Sequence, residues 1–131
     1  MAISNIQETL LMYTKQKSML NGKLSDVMFD LLNASKDSAE VQAKYNDKSQ
    51  EYFYNYMQDY YTDDEYQIIN EQLEKQREFD LANLNSWETE LELNKNNYET
   101  RLNEVTTFEA TWTKLLQTNV KNDFTYGGAQ Q

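Results

Sequence analysis

The sequence predicts an all-α fold, a long antiparallel helical hairpin of coiled-coil type, and three observations carry that reading. Proline is absent and only three glycines occur, Gly22, Gly127 and Gly128. Proline interrupts a helix by removing an amide donor and clashing with the preceding turn, and sheets need glycine-rich tight turns, so this composition favours long helices. Apolar residues recur in alternating steps of three and four from Ile3 onward, the spacing that keeps one helical stripe aimed at a partner helix. Finally, one strong helix-start signal sits near the middle of the chain, so the two halves can fold back on each other.

The first arm, about 4–60, carries the seam Ile3, Ile6, Leu10, Tyr13, Leu20, Leu24, Val27, Leu31, Ala34, Val41, Tyr45 and Tyr52, with Lys17, Ser38 and Lys48 as its polar members. The turn falls at about 60–63. There Thr62 and Glu65 have capping-box spacing, in which hydroxyl and carboxylate satisfy unpaired amides at a helix start, and Asp63 and Asp64 add negative charge where the helix dipole favours it. The second arm, about 63–122, carries Ile69, Leu73, Phe79, Leu81, Leu84, Trp87, Leu91, Tyr98, Leu102, Val105, Trp112, Leu116 and Val120, with a stutter between Tyr98 and Leu102. Residues 1–126 thus read as one helical domain, and 127–131 as a flexible tail.

Folding back about Thr62 makes facing residue numbers sum to roughly 122, the consequence of a short connection between antiparallel helices. That register sets Lys17 against Glu104, Leu24 against Tyr98 and Lys48 against Glu74. The alternative is a four-helix bundle with breaks near 33–37 and 83–86, where cap-forming residues cluster and Asp37 with Glu40, or Asn85 with Glu88, could restart a helix. Asn21-Gly22 is a further weak point, since glycine costs about 1 kcal/mol relative to alanine in a helix interior.

Composition also bounds function. Cysteine and histidine are both absent, which removes disulfides, thiolate nucleophiles, thiolate metal sites and imidazole chemistry. Glu88, Glu90 and Glu92 are spaced by two and so point to different helix faces, and Asp63-Asp64-Glu65 lacks the alternation and glycine of a calcium loop. Neither a phosphate-binding loop nor a nucleophile elbow is present. The expectation is a protein with no catalytic residues, cofactor or metal. A net charge of −10 repels nucleic acid and anionic membrane, and no apolar run reaches the roughly 20 residues of a membrane span. The start has no secretion-signal pattern, so a cytoplasmic protein or one exported by a leaderless route is expected.

The sharpest local feature is the cluster Tyr52, Phe53, Tyr54, Tyr56, Met57, Tyr60 and Tyr61. At 100° per residue it spreads over about 200° of helix surface, roughly twice the stripe one neighbouring helix covers. Tyrosine suits interfaces because its ring is apolar while its hydroxyl stays satisfiable. Together with Ile3, Ile6, Phe124 and Tyr126 near the termini, these are the candidate interface residues. Trp87 and Trp112 read as core. Trp87 lies in Ser86-Trp87-Glu88-Thr89, which invites comparison with small secreted hairpins bearing a Trp-x-Gly turn, but the glycine is missing.

Two arms of near-equal length, no cysteine, no leader and a terminal helix over Trp112 to Asn122 resemble the helical-hairpin subunits of type III secretion needles and filaments. The resemblance extends more loosely to the coiled-coil ends of flagellar axial proteins. It implies a structural subunit that assembles with itself, as a homo-oligomer or filament, and it implies no residue roles. An arm of nearly sixty residues would extend about 85 Å and touch its partner along one stripe, leaving apolar surface for a neighbour. The alternative is a small oligomeric adaptor or secretion chaperone that binds the helix of another protein.

Overall fold

The computed structural model describes the backbone of residues 2–129 and the side chains of residues 2–123. Two helices, α1 (Ile3–Met57) and α2 (Asp63–Ala129), pack against each other as a helical hairpin, with no strand among the described residues. Neither helix breaks. The cap formers at 33–37 and 83–86 remain within helix, so the four-helix alternative is not realised. Ala34 is fully buried, and burial of its seam outweighs the small local preference of Asn33, Ser35 and Asp37 for a cap. Gly22 is likewise helical and lies open to solvent.

The connection is built from backbone chemistry. Asp59 adopts a left-handed conformation with φ of 64°. Its amide donates to the Tyr56 carbonyl at 3.0 Å, and the Tyr60 amide donates to the Asn55 carbonyl at 3.0 Å. This is a Schellman closure, which satisfies carbonyls left orphaned at the end of α1 and stops that helix at Met57. Thr62 then starts α2: its hydroxyl accepts from the Glu65 amide at 3.2 Å and donates to the Glu65 carboxylate at 3.1 Å, while its carbonyl accepts from the Tyr66 amide at 2.9 Å. At the far end, α2 continues past Asn122, where the apolar pattern stops, through Ala129.

The packing forms two compact units. Unit 1 comprises Met1–Val27 with Asn94–Gln131, and unit 2 comprises Met28–Leu93. In unit 1, Ile6, Leu20, Val27 and Val105 are buried. Tyr13 and Phe108 meet with ring centroids 5.9 Å apart, and the Lys23 ammonium lies 5.8 Å from the Tyr98 ring centre, close to the register the sequence suggests. Lys17 departs from it: its partner is Glu109 at 3.4 Å rather than Glu104, because a long lysine stem reaches along the helix by about one turn. Glu109 also accepts from the Thr14 hydroxyl at 3.4 Å. Threonine is a mediocre helix former, and here the hydroxyls of Thr100, Thr106, Thr107, Thr111, Thr113 and Thr118 bond back to carbonyls one turn earlier, so none is left unsatisfied.

In unit 2, Ala34, Tyr45 and Leu91 are the buried residues. Tyr45 donates its hydroxyl to Asp80 across the helix pair at 2.5 Å, and Gln76 steadies the same carboxylate from one turn away at 3.4 Å. That bond holds the Tyr45 phenol above its ordinary titration range, with burial and the Asp80 charge acting in the same direction. Glu74, expected to face Lys48, instead pairs with Arg77 on its own helix. Three of the residues that the sequence places in the second arm's seam point outward, Phe79 (62% exposed) and Trp87 (41%) in unit 2 and Val120 (48%) in unit 1. Asp80 occupies the inward position beside Phe79, and Leu84 with Leu91 occupies the inward stripe flanking Trp87, so Trp87 is a half-exposed surface residue and not core.

Candidate interaction surface at the turn

The turn lies in unit 2, and the geometry of its two helix ends sorts the aromatic cluster into two sets. Tyr56 reaches across the connection, stacking on Tyr66 with centroids 4.3 Å apart and donating its hydroxyl to Asp63 at 2.6 Å. That hydrogen bond, reinforced by the Asp63 charge, raises the Tyr56 phenol above its usual value. Tyr52 and Tyr61 are half-buried and line a groove with Tyr45, Lys48, Ile69 and Leu73. These three tyrosines serve the hairpin itself.

The other four face solvent. Phe53 is 53% exposed, Tyr54 62%, Met57 60% and Tyr60 71%. Residues three and four apart are neighbours on a helix surface, so Phe53, Tyr54 and Met57 form one continuous apolar face at the end of α1, with Tyr60 just beyond it. The candidate residues near the termini divide similarly. Ile3 is half-buried, and Ile6 is fully buried within the hairpin, leaving no accessible side chain. Phe124 and Tyr126 lie outside the described side chains.

Charge is distributed unequally between the units. Unit 2 contains 16 Asp and Glu against five Lys and Arg, a net −11, whereas unit 1 contains six against seven, a net +1; together they give the 22 acids and 12 bases of the chain. The stretch around the turn is the most acidic, with Asp47, Glu51, Asp59, Asp63, Asp64, Glu65 and Glu71 against one cation, Lys48, between residues 47 and 71. Grouping by packed unit thus concentrates the whole excess of acids in unit 2.

Among the described residues no cluster of three or more potential ligands could hold a metal ion, and no helix is long and apolar enough to cross a membrane. No protein-family model, curated protein or solved structure matches this chain.

Proposed function

We propose that this protein is a non-enzymatic structural subunit that associates with copies of itself, through its outward apolar side chains, into a filament or other higher-order assembly. The observation that carries this reading is uncovered apolar surface. Leu11, Met12, Met19 and Phe108 in unit 1, and Met28, Phe29 and Leu32 in unit 2, are all about half exposed or more. Apolar groups of that size gain about 25 cal/mol for each Å² removed from water, a sufficient driving force for coiled-coil packing between copies.

Sedimentation velocity and negative-stain microscopy across a wide concentration series test this directly. The expected result is growth from small species to polymers as concentration rises, with L11S/M19S shifting the onset upward while leaving helicity intact. A single, compact monomeric species at the highest concentration reached would overturn the reading, and a sharp dimer with nothing larger would favour an adaptor over a filament subunit.

A further inference from the structure

We propose that the exposed face Phe53, Tyr54, Met57 and Tyr60 is a docking surface for a basic amphipathic helix of a different protein. This goes beyond self-association, because it assigns a foreign partner to one surface and does not require the chain to polymerise. The argument begins with what lacks a neighbour. These four side chains are each more than half exposed, although Tyr52, Tyr56 and Tyr61 beside them are folded against the hairpin. Three aromatic rings and a methionine at one place are an apolar patch of the kind that marks a contact site. Methionine adds a side chain that repacks to suit its partner.

Charge then selects the occupant. Between residues 47 and 71 there are seven carboxylates and one lysine, so a second copy bringing its own turn to this face would bring the same negative field. Unit 1 of a second copy, at net +1, has too little positive charge to neutralise a unit at net −11. Nucleic acid and anionic membrane are repelled outright. A polypeptide with an apolar stripe flanked by Lys and Arg satisfies both features: its stripe covers the Phe53, Tyr54 and Met57 rings and thioether, its cations meet the surrounding carboxylates, and exposed ring faces accept a guanidinium or ammonium directly. An amphipathic helix presents such a stripe at spacings of three and four, matching the face it would cover.

The probe is a fluorescein-labelled synthetic helix of about 20 residues with leucine on one face and lysine elsewhere. Its anisotropy is followed with the full chain kept dilute enough to be non-polymeric. Two comparison peptides keep one feature each, one with glutamate for lysine and one with serine for leucine. The expected result is binding at least about tenfold tighter than either comparison, weakened by at least about tenfold in Y54S/M57S and within about twofold of wild type in L11S/M19S. Affinity also falls several-fold between roughly 0.05 M and 0.3 M salt. If Y54S/M57S loses helicity, D47N/E51Q tests the same surface through its charge. Equal binding of the serine peptide would reduce the effect to bulk charge and sink the proposal. So would equal loss in L11S/M19S, or no binding. Because the measurement is made on dilute protein, its failure is separate from any failure of self-assembly.

Discussion

Asp59 occupies the position where most helices that end this way carry glycine, and replacing it tests the physical account of the turn. At φ of 64° its Cβ crowds the following carbonyl oxygen, a cost of roughly 1–2 kcal/mol for an ordinary L-residue and less for Asp. Asp59→Gly removes that crowding but gives the unfolded chain more freedom, which offsets up to about 1 kcal/mol. It also deletes one of the carboxylates crowded at the turn, which is favourable. The net expectation is stabilisation of about 0.5–1 kcal/mol. Asp59→Ala keeps the Cβ and loses the side-chain oxygen that lets Asp tolerate this conformation, so it destabilises by about 1 kcal/mol. For 131 residues the unfolding entropy is ~0.28 kcal/mol/K, so 1 kcal/mol corresponds to about 3–4 °C in midpoint. Circular dichroism melts of dilute protein thus place Gly above wild type and Ala below it. An alanine variant as stable as the glycine variant would refute the Schellman assignment, because only the Cβ distinguishes them at that backbone angle.

Three further outcomes follow from the packing. Gly22→Ala should stabilise by about 1 kcal/mol in urea denaturation, since glycine is the poorer helix former and a Cβ added there meets no atom within 4 Å. Leu91→Ala should cost about 2–3 kcal/mol, whereas Phe79→Ala should stay within about 0.5 kcal/mol, because Leu91 is 6% exposed and Phe79 62%; comparable losses in the same denaturation series would contradict the assignment of inward and outward faces. The raised phenols of Tyr45 and Tyr56 make stability depend on alkaline pH. A group that holds its proton more tightly when folded contributes fully below the unfolded value near 10, and the contribution is lost as pH rises through the folded value. Alkaline unfolding of Y45F should therefore be less steep above pH 10 than that of wild type, and parallel curves would show that the Asp80 bond does not perturb Tyr45 titration.

Much of the hairpin was legible in the residues because its causes are local or periodic. Thr62 and Glu65 form the capping interaction their spacing implies, and the stripe through Leu20, Val27, Ala34 and Tyr45 is the buried one. The departures arise where several residues compete for one position. Phe79 and Trp87 look like seam members by hydrophobicity, yet beside Phe79 the polar Asp80 takes the inward place because Tyr45 offers it a hydroxyl, and Trp87 yields the inward stripe to Leu84 and Leu91. Lys17 chooses Glu109 over Glu104 by the reach of its stem, which spacing does not encode. The candidate site was visible only as an undivided aromatic cluster. Which members fold inward depends on the Tyr56 stack with Tyr66 and on the left-handed Asp59, and neither has a sequence signature as strong as glycine would have provided.

The Tyr56–Tyr66 stack also bears on the order in which the chain folds. It joins residues separated by a short loop, whereas Thr14 and Glu109 are 95 positions apart, and closing a loop costs more entropy as it lengthens. Folding should therefore begin beside the connection and run outward like a zipper, with the partners of unit 1 arriving late. In stopped-flow experiments Tyr66→Ala should mainly slow refolding and Val105→Ala mainly hasten unfolding. The reverse pattern would place nucleation among the termini. A chain that closes in this order leaves the apolar stripes of its two ends open to water until the last step, the interval in which another molecule can most readily take the place of its own second arm.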